Sequence, residues 1–130
     1  MFLDTSGLFC VFHQDEVQHG EAERLFRVAR ARLTHSYVLA EFVALCQARR
    51  LNRAASLAFA RATLDNPTLE IVWVSQDMHR VALTYLQSRL DKSYSLCDAV
   101  SFLLMYERGM VEALTTDHHF DQAGLRRLLI

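Results

Sequence analysis

The chain has 130 residues, 52% of them hydrophobic, with one proline and four glycines, a composition that predicts one domain over residues 1–130 and leaves no room for long linkers. A formal net charge of -1 excludes a global pull toward nucleic acid or anionic membrane, so binding to a polyanion has to rest on local clusters. Three widely spaced cysteines, Cys10, Cys46 and Cys97, argue against a disulfide framework; with no leader-like segment and no uncharged run long enough to span a bilayer, a soluble cytoplasmic protein is expected.

Met1 to Leu3 is a short apolar run that stops at Asp4-Thr5-Ser6, and Leu8, Phe9, Val11 and Phe12 then recur at helical spacing. The pattern predicts a buried strand turning directly into a helix capped by Thr5 or Ser6. Asp15 to Arg32 reads as an amphipathic surface helix, Arg32 to His35 as a brief strand, and Ser36 as the cap of a helix reaching about Arg50. Within that helix Val38, Glu41, Leu45 and Ala48 predict an apolar stripe carrying one carboxylate. Asn52 caps a further helix that ends at Asp65-Asn66-Pro67. Thr68 to Val74 is a strand, and Ser75 opens another amphipathic helix.

Tyr94 to Tyr106 is the stretch around which the rest is organised. It reads as a helix apolar on almost every face, hence buried, yet it carries Asp98, and an ionised carboxylate there is costly without a cation. The spacing of Ser95 and Asp98 also fits a capping box, a plainer role for the acid. Gly109 ends the helix, Met110 to Thr116 predicts a strand, and Asp117-His118-His119-Phe120-Asp121 follows at once. Leu125 to Ile130 is a last short strand. Strands alternating with helices predict an α/β sandwich with a largely parallel central sheet.

In such sheets ligands bind beyond the carboxyl ends of the strands, where Asp4 and Asp117 both fall, and Glu41 and Asp98 lie in the first turns of helices leaving that edge. Four carboxylates in one pocket favour a hard divalent ion, Mg2+ or Mn2+, over zinc. His118 and His119 are adjacent and expected to point apart, so no zinc motif competes. A metal site of this kind suits phosphodiester hydrolysis, which requires no protein nucleophile. The chain contains neither a phosphate-binding glycine loop nor a serine elbow.

Leu3-Asp4-Thr5-Ser6, Ala40-Glu41, Tyr94-Ser95-Leu96-Cys97-Asp98-Ala99 and Leu114-Thr115-Thr116-Asp117-His118-His119-Phe120 together resemble a PIN domain, and most closely the VapC toxins of prokaryotic toxin-antitoxin pairs. The resemblance spans the chain and implies a three-layer α/β/α sandwich and an endoribonuclease dependent on Mg2+ or Mn2+. It implies that Asp4, Glu41, Asp98 and Asp117 form the acidic metal quartet, Asp4 and Asp98 foremost, with Ser6 and Thr115 supporting them by hydrogen bonds. Asp121 matches loosely. A homodimer restrained by a cognate antitoxin, and an RNA substrate, are implied as well. Thirteen of the fourteen basic residues are arginines; among those of the first half, Arg49 and Arg50 are candidates for the RNA backbone track. Two alternatives stay open: an Mg2+-binding PIN-like module without catalysis, and a PIN nuclease with a housekeeping RNA or DNA substrate.

Overall fold

A computed structural model describes residues 1–130. Five short strands, β1 (Phe2–Leu3), β2 (Arg32–His35), β3 (Leu69–Val72), β4 (Glu112–Leu114) and β5 (Arg126–Arg127), form one sheet in the order β3-β2-β1-β4-β5. Every pairing is parallel. Seven helices cover it: α1 (Thr5–Phe12), α2 (His19–Val28), α3 (Ser36–Ala48), α4 (Arg53–Asp65), α5 (Gln76–Gln87), α6 (Leu96–Arg108) and α7 (His119–Gln122). This is the expected α/β sandwich.

The chain builds outward from β1 through β2 to β3, then returns to place β4 on the other side of β1. The order reverses between β1 and β4, and parallel sheets open a crevice at such a point. Register then fixes what lines it. Leu3 pairs with Leu114, so the next residues, Asp4 and Thr115, emerge side by side at the carboxyl edge.

The core explains why those strands lie at the centre. Phe2, Leu3, Leu33, Ala113 and Leu114 are buried with Leu8, Phe9, Val38, Phe42, Phe102 and Phe120 in one apolar cluster. The strands of a sheet covered on both faces read as continuous apolar runs, as these do. Helix α1 approaches unusually closely: a Cβ on Gly7 would lie 1.9 Å from the Leu114 carbonyl oxygen. Only glycine allows α1 to sit on β4 at that distance.

Several boundaries differ from expectation. Asp4 itself, not Thr5 or Ser6, is the N-cap position of α1, although its side chain makes no cap hydrogen bond. Helix α2 starts at His19, after a turn over 14–18. Helix α3 is capped by His35, whose Nδ1 accepts from the Val38 N–H at 3.3 Å, while Ser36 Oγ instead accepts from the Val74 N–H. Its buried stripe runs Val38, Phe42, Cys46. Phe42 is far bulkier than Ala48 and turns inward at i+4, which leaves Glu41 on the exposed side rather than on the apolar stripe. At the other end the Arg50 N–H reaches the Gln47 carbonyl and the Leu51 N–H reaches the Cys46 carbonyl, with Arg50 at φ 56°. That is a Schellman ending.

Candidate metal and active site

Asp4 lies at the bottom of the crevice, buried. Its Oδ2 accepts from Thr115 Oγ1 at 2.7 Å and from Ser6 Oγ at 3.1 Å. Those hydroxyls are themselves fixed by backbone donors of the β4 exit, since the Thr116 N–H donates to Ser6 Oγ and the Asp117 N–H to Thr115 Oγ1. The cradle therefore joins residues 4–6 to residues 115–117. Burial, with the neighbouring charge of Asp98 as a smaller cause, pushes the Asp4 carboxyl up to about 6 against the pull of these hydrogen bonds.

Asp98 combines the two roles that the sequence set against each other. The Ser95 Oγ accepts from the Asp98 N–H at 2.9 Å and the Asp98 Oδ2 accepts from the Ser95 N–H at 3.0 Å, a complete capping box. The same carboxylate is nine-tenths buried and faces the crevice, where burial and then the charge of Asp117 hold it above the usual carboxylate range. A cap is compatible with burial here because the first turn of α6 starts beneath the carboxyl edge, so its dipole and its apolar neighbours occupy the same place.

Asp117 follows β4 and is partly exposed; its Oδ1 accepts from the His119 N–H at 2.9 Å. This folds the His119 ring back between the two acids, with Nδ1 3.1 Å from Asp98 Oδ2 and 3.4 Å from Asp117 Oδ2. One donor atom from each of Asp98, Asp117 and His119 lies within 4.8 Å of the other two. His119 escaped the sequence reading because adjacent histidines were expected to diverge. Their rings are instead 4.7 Å apart between centroids, His119 turned inward and His118 exposed. The signal was the Asp-x-His spacing, which lets an aspartate cap the turn that carries the histidine.

Glu41 is exposed on α3, but it is not remote. The Cys97 thiol, buried next to Asp98, is pushed up first by burial and then by the nearby charges of Glu41, Asp4 and Asp98. Cys97 thus lies among three of the four acids. A second, fully buried tie runs from α3 to α6. With the His35 Nδ1 accepting, its proton sits on Nε2 and donates to Ser101 Oγ at 2.8 Å, and Ser101 Oγ donates to the Cys97 carbonyl at 2.9 Å. This chain sets the first turn of α3, and with it Glu41, against the first turn of α6.

Arg49 and Arg50 are not at the crevice. They lie two turns beyond Glu41, about 12 Å along the axis of α3. Arg49 pairs with Glu16 at 2.9 Å and lies over the Phe9 ring, while Arg50 is exposed. Asp121 is exposed too and pairs with Arg127 at 3.0 Å, an arrangement that commits it to β5 rather than to the acids.

Carboxylates gathered at the switch point of a parallel sheet, and kept there against their own repulsion, are an arrangement that a known group of proteins shares. The family model described as PIN domain matches residues 1–125. A protein of two Mycobacterium tuberculosis strains, "23S rRNA-specific endonuclease VapC20", is 30% identical over 125 residues, which are 95% of this chain and 94% of that protein. The crystal structure of M. tuberculosis VapC20, described as a Sarcin-Ricin loop cleaving toxin, matches with a TM-score of 0.89 and 28% identity over 98% of this chain and 97% of that one. No helix is long and apolar enough to cross a membrane. With the family model matching residues 1–125 and a relative of nearly equal extent beside it, this chain belongs to the PIN domain family.

Proposed function

We propose that the protein is a metal-dependent endoribonuclease, a single PIN domain acting as the toxin of a toxin-antitoxin pair. The observation that carries the reading is the pair Asp4 and Asp98: two buried carboxyls, each held above its ordinary range chiefly by burial, in the same crevice as Asp117. A protein keeps such costly groups together where a cation offsets them. The donor set fits a divalent ion, because it offers hard carboxylate oxygens and few hydrogen-bond donors to compete.

Asp4, Asp98, Asp117 and Glu41 are the proposed metal-binding and catalytic acids. Mg2+ or Mn2+ held there supplies a water of lowered pKa and positive charge beside the scissile phosphate. Ser6 and Thr115 fix the direction of the Asp4 lone pairs, and the Ser95 cap does the same for Asp98. Glu41, on the open side and free of ion pairs, is proposed to bind the ion or orient the attacking water. The likeness to VapC20 makes a ribosomal RNA loop the first substrate to test. Arg49 and Arg50 are proposed as a distal contact to the RNA backbone, and a homodimer and a small antitoxin protein as partners, in the cytoplasm.

The test is cleavage of a labelled RNA panel, including ribosomal and transfer RNA loops, by antitoxin-free protein with Mg2+, Mn2+ or EDTA. Cutting that requires the ion and disappears in folded Asp4→Asn and Asp98→Asn variants is expected. A metal-loaded, folded wild type that cuts nothing while still binding RNA would move the protein to a binding module. Replacing Arg49 and Arg50 together is expected to weaken RNA binding and flatten its salt dependence; unchanged values would remove them from the interface.

A further inference from the structure

The acidic quartet leaves one side chain of the crevice unaccounted for, the inward His119. Its position is built from several directions. The Asp117 carboxylate caps its N–H, Tyr94 meets its ring edge-on at 5.4 Å between centroids, and Ser93 Oγ lies 3.1 Å from Nε2. Only 17% of the side chain is exposed, and Nδ1 is the atom aimed at the carboxylates.

The distances suit coordination. Two neighbouring ligand atoms on an octahedral ion with bonds of about 2.1 Å are separated by about 3.0 Å, and two opposite ones by about 4.2 Å. Nδ1 is 3.1 Å from Asp98 Oδ2 and 3.4 Å from Asp117 Oδ2, and all three donor atoms fall within 4.8 Å. The two distances from Nδ1 therefore match neighbouring positions on such an ion, and the two carboxylates lie close enough to each other to share it. Resting on the nuclease reading above, we propose that His119 binds the divalent ion directly through Nδ1, beside Asp98 and Asp117, so that the centre favours Mn2+ over Mg2+.

The tautomers support this role. Without an ion, a proton on Nδ1 donates to Asp98 Oδ2, and the Ser93 hydroxyl donates to Nε2. With an ion, the proton sits on Nε2 and Ser93 Oγ accepts it, which frees the Nδ1 lone pair. A hydroxyl serves both states because it donates and accepts. Ligating histidines characteristically hand their second ring N–H to such a partner. The preference follows from ligand type, because an imidazole nitrogen suits first-row transition ions better than Mg2+, which holds to oxygen and water.

The experiment uses metal-stripped full-length protein, with Mn2+ and Mg2+ as the probes. Electron spin echo envelope modulation of the Mn2+ complex is expected to show a directly coordinated nitrogen in wild type and in His118→Gln, and none in His119→Gln. By calorimetry, His119→Gln is expected to weaken Mn2+ by about tenfold or more and Mg2+ markedly less, and Ser93→Ala to shift the two ions in the same direction by a smaller factor. Circular dichroism of the variants separates loss of a ligand from loss of the fold, and the wild-type spectrum needs no variant. Bound Mn2+ with oxygen ligands alone, or equal weakening of both ions in His119→Gln, overturns the proposal. If that protein still cuts RNA, the nuclease reading stands without it; if neither ion binds the wild type, both fall.

Discussion

Asp4→Asn is expected to make the metal-free protein more stable while abolishing its activity. Asp4 carries its carboxyl at about 6 against an ordinary 3.8, and burial is the main cause. The folded state thus binds the proton more tightly than the unfolded one. The charged form is destabilising above pH 6, and the penalty fades as pH falls from 6 to 3.8. At about 1.4 kcal/mol per pH unit, the gap between the two values corresponds to about 3 kcal/mol at pH 8. Asparagine keeps an oxygen for Thr115 and Ser6 and carries no charge. For a chain of this size 3 kcal/mol raises the melting temperature by roughly 10 °C. The assay is thermal unfolding in EDTA at pH 8 and pH 4.5, followed at pH 8 with Mn2+. The variant should melt higher at pH 8, the gap should shrink to about a third near pH 4.5, and Mn2+ should raise the wild type only. A variant that melts lower at pH 8, or a gap that does not change with pH, would refute the reasoning.

The other predictions concern the frame of the site. Gly7→Ala pushes a Cβ against the Leu114 carbonyl, so α1 has to lift from β4; a loss of about 2 kcal/mol in chemical unfolding and of RNA cleavage is expected. Ser95→Ala removes the acceptor for the Asp98 N–H and should cost about 1 kcal/mol, with weaker metal binding because Asp98 loses its fixed orientation. His35 is buried and neutral, its ring held down to about 4 by burial. The unfolded ring takes up a proton near 6.5, so its contribution is fully present above that value and lost as pH falls toward 4. In the Asp4→Asn background, about 3 kcal/mol of stability should disappear between pH 7 and pH 4, and His35→Asn should lack that slope in urea unfolding.

The fold was legible because strands and helices of this chain have different periods. Phe2-Leu3 is an apolar pair directly before Asp4, Ala113-Leu114 one that two threonines separate from Asp117, and these runs place both acids at one edge. Register between strands has no such local signal, yet it is register that seats Thr115 against Asp4. Glu41 shows the opposite failure. Two apolar stripes compete on α3, and only the bulk of Phe42 against the core decides which one turns inward. At Asp98 the sequence offers capping and burial as alternatives, whereas a helix that starts beneath the site edge satisfies both. His119 could not be read from spacing alone, since its direction depends on a capped turn.

The site also has an order of assembly. Asp4 is made well before Thr115, Asp117 and His119, and β1 pairs with β4 only after α6 has been made. A nascent chain that ends before Thr115 holds Asp4 without one of its two hydroxyl partners and Asp98 without Asp117. A chain whose proposed substrate includes ribosomal RNA thus lacks the full site until residues 115–119 have emerged, because folding proceeds from the amino terminus as the chain leaves the ribosome. Ribosome-bound chains halted at Met110 are therefore expected to leave a test RNA intact, and released full-length chains to cut it. Cleavage by the halted chains would show that residues 111–130 are dispensable.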